Sequence, residues 1–173
     1  MNSLITRNLV RFGVLLLIQG LILESIHIEE GWLRYCRIFL YPLFVIVLPL
    51  RTPATIAIAA GFLLGLLVDL FYASPGVHAA ALTFTAFARN IVLSVLEPRG
   101  GYNVNFSPTI VKMGRPWFLR YSSILLLLHV IFYSCVEVFT FVYWPTILAN
   151  IVGTYLVSWL FLFMYMLVIN PEE

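Results

Sequence analysis

The sequence predicts an all-α integral membrane protein, a bundle of six transmembrane helices forming one domain over residues 1–173. Three observations carry that prediction. Hydrophobic residues make up 62% of the chain and charged residues only 10%, against roughly 25% charged in an average soluble domain, so there is too little polar surface to face water on all sides. The apolar residues fall in runs near the ~20 needed to cross a hydrocarbon core of ~30 Å. Those runs lack the polar alternation of a barrel strand, so each must satisfy its own backbone hydrogen bonds as a helix.

The expected spans are 8–28, 33–50, 53–72, 75–96, 121–144 and 146–169. The first follows Arg7 and Arg11; no small-residue cleavage site comes after it, Glu24 to His27 being a poor one, so it reads as an uncleaved span. The second has an uncharged part, Ile38 to Leu50, no longer than a re-entrant segment, and contains Pro42; Arg34 and Arg37 must reach the headgroups for it to cross. The third carries Ala57, Gly61 and Gly65 at one-turn intervals, and the chain breaks at Ser74-Pro75-Gly76. The fourth is rich in small residues, from Ala79 to Ala88, and holds Arg89. Between the fourth and fifth, the loop 97–120 contains Pro98, Gly100, Gly101, Pro108, Gly114 and Pro116, which argue against a long helix. That loop reads either as a basic stretch beside anionic lipid or as a docking loop for a partner. Arg7, Arg11, Arg51, Arg99, Lys112, Arg115 and Arg120 fall on one side, against Arg34 and Arg37 on the other, so both termini are expected in the cytoplasm. Trp32, Tyr35 and Trp144 would mark the outer boundary, Trp117 and Tyr121 the inner one, while Trp159 falls near mid-membrane, where its N–H needs a partner.

Several functions are set aside. A net charge of +2, with the basic residues at the ends of apolar runs, leaves no nucleic-acid surface. Cys36 and Cys135 have neither CxxC spacing nor a histidine cluster, so no metal site is expected; they are free buried thiols or an outer disulfide. The string Glu29-Glu30-Gly31-Trp32-Leu33-Arg34 matches the E-E-x-x-x-R of intramembrane prenyl-protein proteases, but it lies in an outer loop, and His129 has no asparagine four residues on. No other catalytic motif occurs, so neither a catalytic residue nor a cofactor is expected.

Ionisable groups at hydrocarbon depth are costly and usually face the bundle interior. Glu24, Asp69, His78, Arg89, His129 and Glu137 are the candidates. At ~1.5 Å per residue, Asp69 and His78 are level on either side of the third turn, while Arg89 lies ~16 Å deeper than Asp69. A hydrogen-bonded Asp69–His78 pair is therefore expected, or separate bonds from each to backbone or headgroups, and an Asp69–Arg89 salt bridge is not. Arg89 either snorkels inward or bonds to neighbouring carbonyls. Gly61 and Gly65 form a small-xxx-small face that either packs within its own hairpin or seats a partner helix. With only Arg89 and His129 deeper in the membrane, no continuous proton path is visible.

The hairpin G-F-L-L-G-L-L-V-D-L-F-Y-A-S-P-G-V-H-A-A-A-L, beginning at Gly61, resembles the signature of the rod shape-determining MreD family. The resemblance implies a six-helix bundle similar to the substrate-binding (S) subunits of energy-coupling-factor transporters. It further implies a non-enzymatic scaffold of the bacterial elongation machinery in the inner membrane, helping to maintain rod shape and lateral peptidoglycan synthesis. The expected partners are the membrane helix of MreC and, through that complex, RodA and a class B penicillin-binding protein, together with membrane lipids; one copy or a homodimer both stay open. Gly61, Gly65, Asp69 and Gly76 carry over as family-typical structural residues. The alternative reading is a substrate-binding subunit of a vitamin-type transporter, with Glu24, Asp69, His78 and Glu137 around a ligand.

Overall fold

The computed structural model describes residues 2–26, 36–138 and 144–169. Among them are five helices long and apolar enough to cross a membrane, and no strand, so the chain is an all-helical, multi-pass membrane protein. Helix α1 (Asn2–Leu17) runs into a π-helical segment (Ile18–Leu23); α2 (Leu43–Ile46) is a single turn; α3 (Ala54–Tyr72) and α4 (Val77–Val95) form a hairpin. A second single turn, α5 (Ile110–Met113), precedes α6 (Arg115–Val138) and α7 (Trp144–Ile169). The expected outer loop with Glu29, Glu30 and Arg34, its anchors Trp32 and Tyr35, and part of the turn before Trp144 lie outside the described residues.

Two boundaries differ from expectation for a simple reason. Helix α6 starts at Arg115, not at residue 121, and Pro116 and Pro145 each occupy the second position of a helix. Proline lacks an N–H, but the first turn of a helix has no intrahelical acceptor for one, so proline belongs there as readily as in a loop. The first helix likewise begins at Asn2 and ends at Leu23, not at 8 and 28.

The larger difference is the expected second span, 33–50. It is not a helix. Only Leu43–Ile46 is helical, and the rest of residues 36–53 is turns and irregular chain. Yet this segment is the centre of the molecule: Phe39, Tyr41, Leu43, Val45 and Ile46 have no exposure at all. It runs the length of α6, with Arg37 beside Glu137, Tyr41 beside His129 and Ile46 beside Tyr121. Sixteen residues of α6 cover about 24 Å at 1.5 Å each, and the segment matches them with nine, which a helix could not do.

An irregular backbone survives at membrane depth only where protein supplies its missing hydrogen bonds. Here side chains from α1, the π-helical segment, α4, α6 and α7 do so. Gln19 Oε1 accepts from the N–H of Leu40 at 2.8 Å and of Tyr41 at 3.3 Å, while its amide donates to the Ile38 carbonyl at 3.0 Å. From α7, Thr154 accepts from the Arg37 N–H at 3.1 Å and Ser158 from the Phe39 N–H at 2.8 Å. Lower down, Tyr121 donates to the Ile46 carbonyl, Arg11 to Val47, and Arg89 to Leu48 and Pro49. The segment ends by pairing its Leu50 and Arg51 N–H groups with the carbonyls of Phe106 and Val104.

That last pairing belongs to the loop between α4 and α6, which folds against the basic end of the bundle. Tyr102 and Trp117 donate to the last carbonyls of α4, at Leu93 (2.8 Å) and Leu96 (2.9 Å), groups that a helix leaves unpaired. Burial pushes the Tyr102 phenol up to about 12, so it keeps its proton and the bond at neutral pH.

Candidate functional site

The hairpin turn is built by one carboxylate. Helix α3 ends on Ala73 in the left-handed region (φ 49°), and Gly76, at φ 88°, starts α4 in a conformation that favours glycine. The first N–H groups of α4 have no partner within their own helix, and no side chain at Gly76 can cap them. Asp69 reaches across from α3 instead: Oδ1 accepts from the His78 N–H at 2.9 Å and Oδ2 from the Ala79 N–H at 3.0 Å. Oδ1 also accepts from the Ser74 hydroxyl at 3.0 Å. The His78 ring nitrogen Nδ1 lies 2.9 Å from both Asp69 Oδ1 and Ser74 Oγ. A carboxylate has nothing to donate, so Nδ1 carries the hydrogen.

This close turn requires the glycine below it. A Cβ on Gly65 would lie 2.5 Å from Ala79 Cα and 2.6 Å from the His78 carbonyl oxygen, so α3 and α4 touch backbone to backbone there. Gly61 faces the same helix more loosely, with Leu82 O at 3.3 Å. The face formed by Gly61 and Gly65 is therefore covered by α4 and offers no seat to a partner helix. Gly76 takes no part in helix packing; nothing lies within 4 Å of its would-be Cβ.

Inward from the turn, the His78 ring sits among Tyr72, Tyr133, Tyr41 and Phe39, with centroids 4.7, 5.0, 5.6 and 6.0 Å away. Its Nε2 is buried without a hydrogen-bond partner. Asp69 is 4% exposed and His78 not at all. His129, also fully buried, bridges two elements: Nδ1 is 2.8 Å from Thr85 Oγ1 and Nε2 is 2.8 Å from Tyr41 Oη. The Thr85 hydroxyl donates its only hydrogen to the Ala81 carbonyl, so His129 donates from Nδ1 and accepts from Tyr41 at Nε2.

The remaining candidates lie apart. Glu137 forms an ion pair with Arg37 and accepts from the Tyr133 hydroxyl at 3.4 Å; Arg37 also donates to Tyr133 and lies over its ring, 5.6 Å from the centroid. These groups border a cleft of about 20 Å³ between α6 and α7, room for about one water. Tyr133 and Phe39 stand between that cleft and His78. Arg89 is fully buried with the Leu48 carbonyl at 2.6 Å; its Nε and Nη1 have no partner, and no carboxylate pairs with it among the described residues. Glu24, just past the π-helical segment, joins none of these bonds. The structure thus brings Asp69 and His78 together, as their depth implied, and bonds neither of them to Glu24 or Glu137 among the described residues.

Sequence reasoning missed the groups that hold the irregular segment: Gln19, Arg37, Tyr41, Tyr121, Thr154 and Ser158. One signal was present. Asn150, Thr154 and Ser158 recur every four residues on an otherwise apolar helix, a polar stripe on one face. Trp159, which needed a partner, finds it in Ser123 at 2.8 Å. Cys36 and Cys135 are free, and the Cys36 sulfur occupies the space a side chain on Gly153 would need. No family model, curated protein or solved structure matches the chain.

Proposed function

We propose that the chain is a non-enzymatic scaffold of the bacterial cell-elongation machinery, an MreD-type protein that holds the membrane helix of MreC. Through MreC it would stand beside RodA and a class B penicillin-binding protein. The observation that carries this reading is the use made of the interior polar groups. Asp69 caps a helix, His78 is closed in by aromatic rings, His129 ties Tyr41 to α4, and Arg89 holds a turn. Each of these groups is engaged with the protein's own backbone or side chains, which is the use a scaffold makes of buried polar groups. The transporter alternative would need Glu24, Asp69, His78 and Glu137 to share a ligand, whereas Asp69 and His78 are engaged with each other and Glu137 with Arg37.

In this reading the irregular segment 36–53 supplies the sixth crossing, giving the bundle the span count of energy-coupling-factor S subunits. Seven of the nine loop Lys and Arg residues fall on the side expected to hold the termini, which supports a reading with both termini in the cytoplasm of an inner-membrane protein. With Gly61 and Gly65 covered, the partner surface lies on outward apolar faces, and α1 and α7 are the least enclosed of the long helices. Leu9 and Leu17 on α1, Leu21 on the π-helical segment that continues it, and Leu148 and Leu156 on α7 are exposed there. Gentle solubilisation of native membranes and affinity capture of the full chain should recover a single-pass subunit with a coiled coil. Recovery of an energising transporter module in its place would contradict the proposal.

A further inference from the structure

The geometry points to a binding site, in the cleft between α6 and α7, for a phospholipid head group carrying a primary ammonium. The cleft is a built polar site at the end of the bundle opposite the basic loop. Its charged wall is the Arg37–Glu137 pair, held in place by Tyr133 beneath it, and its other wall is Asn150 and Thr154 of α7. Two acceptors there are unused. Asn150 Oδ1 is buried with no hydrogen-bond partner, a state that costs energy unless something donates to it. Glu137 spends Oε1 on Arg37 and Tyr133, while Oε2 makes no bond among the described residues. A guest that donates several hydrogens and carries positive charge meets both needs at once, and an ammonium does so.

The rest of the head group follows from charge and hydrogen bonding. The Arg37 side chain is 48% exposed and engages Glu137 and Tyr133 through Nη1, which leaves its other N–H groups for a phosphate. One fixed charge of each sign suits a zwitterion, not an anion. A primary ammonium has N–H groups to give to Asn150 Oδ1 and a trimethylammonium has none, so ethanolamine lipids satisfy the buried acceptor and choline lipids do not. Depth agrees: Asn150 lies within two turns of Trp144, which is 63% exposed at the start of α7, where an aromatic belt would mark the interface. This site is independent of which protein the scaffold holds.

The test uses the full chain in lipid nanodiscs containing equal amounts of phosphatidylethanolamine, phosphatidylcholine and phosphatidylglycerol, with retained lipid read by native mass spectrometry. Phosphatidylethanolamine should be enriched roughly fivefold over phosphatidylcholine, and stepwise N-methylation of its amine should erase the enrichment. Asn150→Leu should abolish the preference. Asn150→Asp, which adds a negative charge without adding bulk, should strengthen it, and this gain cannot arise from misfolding. Free ethanolamine at millimolar concentration should leave the retained lipid in place. Equal retention of the three lipids, a preference indifferent to both Asn150 variants, or displacement by free ethanolamine would each overturn the assignment to a lipid head group.

Discussion

At the scale of single residues, the turn between α3 and α4 shows how few groups fix the hairpin. Asp69 satisfies two backbone donors and a hydroxyl in a place water does not reach. Asp69→Ala should lower stability by about 3 kcal/mol, since a lost cap costs ~1 kcal/mol and each stranded buried donor 1 to 3; thermal unfolding of the detergent-purified chain measures it. Asp69→Asn, which keeps one oxygen, should cost less. The two glycines make a sharper contrast. Gly65→Ala puts a methyl group against the backbone of Ala79 and should cost about 2 kcal/mol or more, while Gly61→Ala meets contacts of 3.3 to 3.4 Å and should cost under about 1 kcal/mol. Equal effects of the two would refute the close approach at Gly65. These residues were legible in the sequence because glycine spacing and a lone acid are rare in so apolar a chain. What the sequence concealed was the acceptor's use: level depth pairs Asp69 with His78, but only the folded turn shows that the carboxylate mainly serves the backbone of α4.

At the scale of elements, the four hydrophobic helices from α3 onward that were expected as spans are all present, because a long apolar run in a membrane has few alternatives to a helix. The segment 36–53 escaped that rule. Its apolar composition matches a span, yet from Phe39 to Pro49 it is buried inside the bundle, so the requirement for self-satisfied hydrogen bonds lapses and side chains take over the duty. The signals were scattered over partners far away in sequence: one glutamine in the π-helical segment, a Thr–Ser stripe in α7, a tyrosine in α6 and an arginine in α4. No local pattern links them. Removing the glutamine is the direct challenge. Gln19→Leu strands the Leu40 and Tyr41 N–H groups and the Ile38 carbonyl, and should cost about 3 kcal/mol in thermal or denaturant unfolding. A loss near zero would mean that the segment finds its partners elsewhere. The π-helical stretch around Gln19 fits the same purpose: Gln19 and Gly20 are both buried there, and a side chain on Gly20 would strike Phe71, so α1 closes onto α3 at the level where Gln19 serves the segment.

At the scale of the whole molecule, the bundle encloses a strut. Helices α1, α3, α4, α6 and α7 surround a chain segment tied along its length by bonds to α1, α4, α6, α7 and the basic-end loop, which suits a protein that must hold shape while partners bind its outside. A transporter subunit would require some of this interior to open for a ligand. The most direct measurement is hydrogen–deuterium exchange of the full chain in nanodiscs, resolved at the amides of Phe39, Leu40 and Tyr41. If the segment is a fixed strut, these amides exchange as slowly as those in the middle of α3 and α4 despite lacking regular secondary structure, and Gln19→Leu releases Leu40 and Tyr41 selectively. Rapid exchange at all three in the unaltered chain would show a moving gate and contradict the account.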